Sequence, residues 1–501
     1  MIDYSFPTNK ARSKNGILNV LNLPLLGRVC GILIWTEAFM FLISALVSVG
    51  YGESCYRYFV IAMFINLLLG SGLVYYGRNA SSQLSRHDAY FIVPVIWILF
   101  TLFGMLPFYL SGQIPSITDA FFETMSGFTT TGATVLDHIE EMSHGMLFWR
   151  SLTQWIGGVG IVFFTIAILP VFGSNNMQLF SAEATGVTHN KLHPKITVMA
   201  KWIMAIYVSL TLVETLLLVI GGMSFFDAVC HAFATTATGG FSTKQDSISH
   251  WDSPFIEYVI AIFMILSGIN FSLYYLFIVG KCKKFFQDRE LHWFLISLIG
   301  LTLIITIALI FKNDYGIEYA FRKSLFQVAT VHTSCGFASD DFNFWPQFTW
   351  ILLLFAMISG GCTGSTSGGI KNMRMLISFH NIKNEFKRLL HPRAMLQVKI
   401  DKHLVAPSVV EAVHTFIIFY FLCIFVGTLL LMIFGVDMIE SLSTVISSLG
   451  NVGPGLGIYG PAFSWATLPD VAKWILSFLM LIGRLELFGI LLLFTPFFWE
   501  D

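Results

Sequence analysis

The sequence predicts an all-α polytopic membrane protein, in which an N-terminal two-helix hairpin is followed by four similar repeats. Three observations predict this fold class. Of the 501 residues, 55% are hydrophobic and only 12% are charged, whereas a soluble domain carries about 25% charged residues. Long apolar stretches recur along the chain. A small glycine-bearing segment returns between them about every hundred residues.

Ten stretches are long and apolar enough to be spans, because a spanning helix needs about 20 apolar residues. They are 30–50, 59–77, 89–110, 147–171, 197–221, 255–280, 291–311, 346–361 with a continuation, 405–434 and 471–497. Shorter semi-apolar runs, such as 117–128 and 225–235, lie between consecutive spans and are too short to cross, so we expect re-entrant half-helices there. The predicted units are a hairpin at 1–84 and repeats at 85–178, 179–285, 286–395 and 396–501.

Lysine and arginine placement predicts the orientation of the chain. If the N-terminus is cytoplasmic, the inside segments hold roughly three times as many of these residues as the outside segments, as the positive-inside rule requires. Both termini are then cytoplasmic, and the half-helices enter from the outside. The N-terminus, MIDYSFPTNKARSKNG, is polar, so no cleavable signal peptide is expected.

Four soft segments mark the repeats. They read SGFTTTGATV (126–135), FATTATGGFST (233–243), TVHTSCGFASDDF (330–342) and SSLGNVGPGLG (447–457). One such segment alone would be an ordinary loop, but four at matching positions between span pairs indicate a structural repeat. Aligned on one glycine, they superpose Gly132, Gly239, Gly336 and Gly453.

These turns have the composition of a carbonyl-lined ring around one central pore. Non-helical backbone at membrane depth is tolerated only where it is buried in protein or lines a water-filled cavity. A ring of backbone carbonyls replaces the water shell of a cation without a charged side chain. The predicted ring residues are Thr130, Thr131, Gly132, Ala237, Thr238, Gly239, Ser334, Cys335, Gly336, Asn451, Val452 and Gly453. Because no Asp or Glu occupies these positions, a carboxylate ring for divalent cations is not expected.

With these four motifs, residues 85–501 resemble the Trk/Ktr/HKT superfamily of potassium transporters, and specifically the Trk-type potassium-uptake membrane subunit. Residues 1–84 resemble the extra N-terminal hairpin of Trk subunits, which the Ktr type lacks. The resemblance implies four span–pore-loop–span repeats and potassium uptake across a bacterial inner membrane. Serine at the first filter glycine accompanies sodium selectivity in plant relatives, so Gly132 implies potassium. The fourth motif, GNVGPG, is less threonine-like than the others.

The eighth span is interrupted by ISGGCTGSTSGGIK (358–371). Each glycine costs a helix interior up to about 1 kcal/mol relative to alanine, so we expect this segment to open the helix. The alternative is close helix packing through small residues. The resemblance implies an intramembrane gate below the filter, formed by Gly360, Gly361, Gly364, Ser365, Thr366, Gly368 and Gly369.

Arg484, in LIGRLELFG, is the one lysine or arginine that lies deep inside a predicted span, away from its ends. An arginine at the bilayer centre costs about 2.5–3.5 kcal/mol, so it should face the protein interior and have a partner. A structural ion pair is one explanation, with Glu486, Glu411 or Glu214 as partner, although residues i and i+2 do not share a helix face. The resemblance places it instead beside the pore, near the gate, where its charge opposes cations.

Other polar residues carry weaker signals. Glu123 and Asp227 lie in half-helices, where they either concentrate cations or anchor the structure. His231 and His332 precede two of the turns and are more typical of satisfied core histidines than of proton relays. The basic segment 384–403 fits positive-inside bias, or a docking site for a cytoplasmic partner.

The sequence shows no nucleotide-binding loop, metal cluster or catalytic triad, so we expect a transporter and not an enzyme. The rival hypotheses are a secondary transporter with a midplane site and a membrane-embedded enzyme. Seven scattered cysteines, without a CxxC pair, are expected to be free thiols. The resemblance implies a homodimer on a cytosolic nucleotide-binding regulatory subunit, in a lipid membrane and without nucleic acid; potassium is the transported ion.

Overall fold

The computed structural model describes residues 21–80, 85–168, 196–401 and 403–499. The predicted boundary between the first two repeats, 178/179, lies outside these residues, as does residue 84 at the end of the hairpin. The regular secondary structure of the described residues is helical apart from one two-stranded hairpin, which confirms the predicted fold class.

The N-terminal hairpin consists of α1 (Leu23–Gly50) and α2 (Tyr56–Tyr76). The two helices approach closely at small residues, because a Cβ atom on Gly31 would lie 2.6 Å from the carbonyl oxygen of Gly70. Small residues of this kind let helix backbones pack tightly in a membrane.

Each repeat contains a first span, a half-helix and a second span. The first has α3 (Arg86–Gly104), α4 (Leu106–Leu110), α5 (Ile117–Phe128) and α6 (His144–Ile168). The second has α7 (Ile196–Ile220), α8 (Phe225–Thr236), α9 (Pro254–Ser267), α10 (Phe271–Ile278) and α11 (Cys282–Gln287). The third has α12 (Arg289–Asn313), α13 (Ile317–His332), α14 (Gln347–Ser359) and α15 (Asn372–Leu390). The fourth has α16 (Pro407–Ile433), α17 (Met438–Gly450), α18 (Asp470–Arg484), α19 (Phe488–Leu491) and α20 (Pro496–Trp499).

The half-helices α5, α8, α13 and α17 have 12, 12, 16 and 13 residues. At 1.5 Å per residue they are too short to cross a membrane, as predicted. Serine caps begin two of them, since the side chain of Ser116 accepts the N–H of Asp119 and that of Ser224 accepts the N–H of Asp227. Their C-terminal ends all lead into the soft segments.

Helices occur at all ten predicted spans, with residues 169–171 of the fourth outside the described part. Six described helices are long and apolar enough to cross a membrane, or up to eight if two bent pairs each count as one span. The chain also has a shorter apolar helix at Gln347–Ser359.

Two spans predicted as continuous are broken. The 255–280 stretch bends by 92° between α9 and α10, and the 471–497 stretch bends by 109° after α18. At the second break Glu486 and Leu487 have φ of 58° and 46°, which is a costly conformation for residues with a Cβ atom. Both stretches are apolar overall, which predicts continuous spans, and contacts with the 360–371 segment described below hold both bends.

The basic segment after α15 ends in a small antiparallel hairpin, β1 (Lys399–Ile400) and β2 (His403–Leu404). It is a small departure from the all-helical expectation. Its buried Ile400 packs in one apolar cluster with α15 and the start of α16.

Candidate ion-conduction site

Four equivalent turns follow the half-helices. In each, one residue adopts left-handed backbone geometry, with φ of 52° at Thr130, 53° at Thr238, 53° at Ser334 and 52° at Asn451. Two residues later comes a glycine with positive φ. These glycines are Gly132 (85°), Gly240 (77°), Gly336 (94°) and Gly453 (108°). The backbone therefore repeats residue by residue through all four turns.

This geometry shifts the second of the four aligned segments, 233–243, by one residue. The N–H of Gly239 donates to the carbonyl of Ala234, as the N–H of Thr131 donates to that of Ser126. Gly239 thus stands in the place of Thr131, and Gly240 stands in the place of Gly132. Aligning Gly239 with Gly132 was wrong because two adjacent glycines satisfy the same pattern, and only the backbone angles distinguish them.

The four turns close into a circle. A Cβ atom on Gly132 would clash with the carbonyl oxygen of Gly239, and one on Gly240 with that of Cys335. A Cβ atom on Gly336 would clash with the carbonyl oxygen of Val452.

The last contact closes the circle, since a Cβ atom on Gly453 would lie 2.8 Å from the carbonyl oxygen of Thr131. Each repeat thus places one carbonyl, always from the residue before the glycine, against the glycine of a neighbouring repeat. Only glycine fits at these four positions without displacing backbone. We call this arrangement the carbonyl ring.

Electrostatics at the carbonyl ring favours cations. The C-terminal ends of the four half-helices lead into it, and a helix C-terminus carries partial negative charge. No group of three or more His, Cys, Asp or Glu residues suited to a metal occurs in the described residues. Coordination here would therefore rely on neutral oxygens.

Two buried amide side chains brace the carbonyl ring, and sequence reasoning did not give either this role. Gln154 of α6 donates from Nε2 to the carbonyl of Gly239 (2.6 Å) and accepts the N–H of Phe241 at Oε1 (3.0 Å). Asn451 donates from Nδ2 to Thr131 Oγ1 (3.0 Å) and to the carbonyl of Met480 (2.9 Å). No sequence signal reveals these contacts, because the Gln154–Gly239 and Asn451–Thr131 hydrogen bonds each join residues of different repeats.

The polar half-helix residues have structural partners. Glu123 pairs with Arg150 (2.6 Å) and accepts the N–H of Val135 (2.9 Å), and both charged side chains are buried. Asp227 accepts the hydroxyl of Thr243 (2.6 Å). These contacts favour the anchoring interpretation of both carboxylates.

Both histidines near the turns are buried and hydrogen bonded, as satisfied core histidines are. His231 contacts the carbonyl of Asp227 (2.7 Å) and Ser242 Oγ (3.0 Å). His332 contacts Ser297 Oγ (2.9 Å) and Ser359 Oγ (3.0 Å).

The helix predicted to open does so. Between α14 and α15 the chain forms a largely buried loop at 360–371, which we call the glycine loop, with φ of 67°, 79° and 75° at Gly360, Gly364 and Gly369. Packing of an intact helix through small residues is therefore wrong for this segment.

The glycine loop lies directly against the residues that precede the carbonyl ring. Thr366 Oγ1 donates to the carbonyl of Thr236 (3.2 Å), and the N–H of Gly368 donates to Ser334 Oγ (2.6 Å). A Cβ atom on Gly368 would clash with the carbonyl oxygen of Gly450. Three of the four half-helix ends thus contact this loop.

The glycine loop also explains the break between α9 and α10. The N–H of Cys362 donates to the carbonyl of Gly268 (2.9 Å), and the N–H of Phe271 donates to the carbonyl of Gly364 (3.1 Å). Backbone groups released by the bend are therefore used to hold the loop.

Arg484 is buried, with 3% of its surface exposed, and it bridges the glycine loop to α6. Nη1 donates to the carbonyl of Thr366 (2.7 Å), and Nη2 donates to the carbonyl of Gly157 (3.0 Å). Among the described residues it forms no ion pair with Glu486, Glu411 or Glu214. The ion-pair explanation for Arg484 is therefore wrong in this structure.

Charged side chains at the ends of the glycine loop form a second set of contacts that sequence reasoning missed. Glu290, buried at the start of α12, accepts through Oε1 the N–H of Thr363 (2.6 Å) and that of Met373 (3.1 Å). Glu486 pairs with Lys371 (2.7 Å) and Arg374 (2.5 Å). These contacts join distant parts of the chain, so spacing in the sequence could not predict them.

Four turns closed around one axis, with a loop below them, define a membrane protein of the ion-transport class. The model of the TrkH family, described as a cation transport protein, matches residues 56–500. The chain belongs to this family, which excludes the membrane-embedded enzyme.

Similar proteins agree with this assignment. The chain is 40% identical over 479 residues to the Trk system potassium uptake protein TrkH of Escherichia coli K12, covering 95% of this chain and 99% of that protein. It is 33% identical to TrkG of the same strain, covering 97% of this chain and 100% of TrkG. The crystal structure of the potassium transporter TrkH from Vibrio parahaemolyticus matches with a TM-score of 0.87 at 36% identity, covering 95% of this chain and 99% of that one.

Proposed function

We propose that this chain takes up potassium across the bacterial inner membrane through a gated pore, with the carbonyl ring as its selectivity filter. The observation that carries the proposal is the closed circle of four glycines and four carbonyls, one of each from every repeat. The relatives named as potassium uptake proteins support potassium as the ion.

In this proposal the filter removes the water shell of potassium by offering carbonyl oxygens in its place. The filter residues are those predicted, with the second turn shifted by one position. They are Thr130, Thr131 and Gly132; Thr238, Gly239 and Gly240; Ser334, Cys335 and Gly336; and Asn451, Val452 and Gly453. Ala237 then corresponds to Thr129 and belongs to the end of the half-helix.

The glycine loop is the gate, and Arg484 holds it closed. The loop's contacts with the ends of three half-helices support this role, because those ends lead into the carbonyl ring. The guanidinium binds the loop at Thr366 and adds a positive charge that opposes cations. A secondary transporter with a midplane site is less well supported, since all four repeats contribute equally to the ring.

The remaining parts of the proposal follow from the sequence and the family resemblance. Both termini are cytoplasmic, and the chain forms a homodimer on a cytosolic nucleotide-binding regulatory subunit. The repeats follow the boundaries predicted from the sequence, except that the boundary between the second and third moves from 285/286 to the end of α11 at Gln287. Inward movement of one cation gains about 2.3 kcal/mol per 100 mV of membrane potential, which is sufficient to drive uptake through an open gate.

Potassium and sodium fluxes into liposomes containing the purified chain test the proposal. Gly132→Ser places a side chain against the backbone of Gly239, so we expect the potassium-to-sodium flux ratio to fall about tenfold or more. Gly112→Ser is the matched control, because Gly112 also has positive φ (74°) but nothing lies within 4 Å of its Cβ position. An unchanged ratio in a folded Gly132→Ser protein would contradict the filter assignment.

A further inference from the structure

One filter carbonyl differs from the other three in its surroundings. The carbonyl of Gly239 accepts a hydrogen bond from Gln154 Nε2 at 2.6 Å. Within the described residues, no side chain donates to the equivalent carbonyls of Thr131, Cys335 or Val452. The ring carbonyl of the second repeat is therefore held by a side-chain hydrogen bond, and among the described residues the ring carbonyls of the other repeats are not.

Gln154 also fixes the far side of the same turn. Its Oε1 accepts the N–H of Phe241 at 3.0 Å, so the amide contacts the residues on both sides of Gly240. These two contacts determine the orientation of the amide, because a carbonyl only accepts and a backbone N–H only donates. The side chain is completely buried and has no alternative partner in water.

Gln154 occupies the space that a side chain fills in the other turns. Thr131, Cys335 and Val452 carry side chains at the position of Gly239. A Cβ atom on Gly239 would lie 2.5 to 2.9 Å from the three terminal amide atoms of Gln154. The glycine and the glutamine thus form a matched pair.

We infer that Gln154 is a positioning residue for ion selectivity, which sets the place and the field strength of the Gly239 carbonyl in the filter. This inference rests on the proposed function, because it assigns a role within the same carbonyl ring. Filter selectivity depends on the size of the cavity and on the number and field strength of its carbonyls. A hydrogen bond from Gln154 restricts movement of one oxygen and takes up part of its acceptor capacity.

The inference predicts that removing the amide makes the ring more tolerant of the smaller sodium ion. Gln154→Met keeps most of the side-chain volume and removes both hydrogen bonds. We expect its potassium-to-sodium flux ratio to fall about tenfold, with potassium flux at saturation changed less than the ratio. Gln327→Met is the matched control, because Gln327 is buried and donates to the carbonyl of Asp340 (2.8 Å), outside the ring.

A pair of variants tests the matched fit. Gly239→Thr gives the second turn the residue found at position 131, but in the natural chain the new side chain collides with Gln154. Gly239→Thr alone should therefore lower selectivity. In the Gln154→Ala background the same change should raise selectivity towards that of the natural chain, because the space is free.

Liposome flux of potassium and of sodium provides the measurement. Potassium-specific thermal stabilisation in detergent gives a second reading for variants that insert poorly. A natural chain that does not discriminate potassium from sodium would defeat the proposed function itself. A selective natural chain with unchanged selectivity in Gln154→Met, or with additive effects of Gln154→Ala and Gly239→Thr, would overturn only the role of Gln154.

Discussion

At the residue scale, Arg484 contributes a buried positive charge that backbone oxygens alone hold in place. Its two hydrogen bonds go to the carbonyls of Thr366 and Gly157, and no ion pair with a carboxylate neutralises it among the described residues. In the proposed function, this arginine is both a latch on the glycine loop and an electrostatic barrier to cations.

Arg484→Gln should increase potassium flux while folding is preserved. A guanidinium about 6 Å from a passing cation opposes it by about 3 kcal/mol at an effective dielectric constant near 20, and about 1.4 kcal/mol corresponds to a tenfold change. Glutamine keeps donor groups but removes the charge. Flux into potassium-free liposomes measures the change.

The control for this variant is Arg322→Gln. Arg322, in the third half-helix α13, is also a buried arginine, but it pairs with Glu257 of α9 (2.8 Å). Its loss should not raise flux. If Arg484→Gln only lowers flux or destroys expression, the barrier hypothesis fails and Arg484 is structural.

At the scale of elements, the glycine loop is held at both ends by one carboxylate. Glu290 Oε1 accepts N–H groups from Thr363, inside the loop, and from Met373, in the first turn of α15. The start of α12 therefore clamps the loop in its observed shape. Movement of α15 would have to break this clamp.

Glu290→Ala should release the loop and raise basal potassium flux. A hydrogen bond contributes about 0.5–1.5 kcal/mol, so we expect the loss of two to raise flux about tenfold with unchanged ion selectivity. Glu290→Gln keeps an oxygen acceptor and should have a smaller effect. Equal flux in all three proteins, at equal incorporation into liposomes, would show that the clamp does not restrain the loop.

At the scale of the whole molecule, the carbonyl ring joins four stretches of sequence that lie about a hundred residues apart. Its second glycine is Gly240, so Gly240→Ala should impair selective flux more than Gly239→Ala. A methyl group on Gly240 would meet the backbone of Cys335, and this position has positive φ, whereas a methyl group on Gly239 would meet only side-chain atoms of Gln154. Potassium and sodium flux measured on both variants checks this order, and the reverse order would restore the original alignment.

Sequence alone predicted the spans, the half-helices, the opened helix and three of the four ring glycines, because each depends on local composition. It did not predict the bends after α9 and α18. Both stretches are apolar overall, and the short polar interruptions at 267–270 and 484–486 do not by themselves mark a bend. Contacts with distant residues, from the glycine loop and Glu486, hold both bends. The same reason applies to Gln154 and Glu290, whose partners are distant in the chain and are brought together only by folding.

A ring made from one polypeptide also has a genetic consequence. In a pore built from four identical chains, any change of codon alters every quarter of the ring at once. Here each quarter has its own codons, so a mutation modifies one oxygen and leaves three in place. Mutation can therefore change the four positions independently. The second repeat differs from the others in this way, because it has Gly239 where they have a side chain, and Gln154 of the first repeat fills the space.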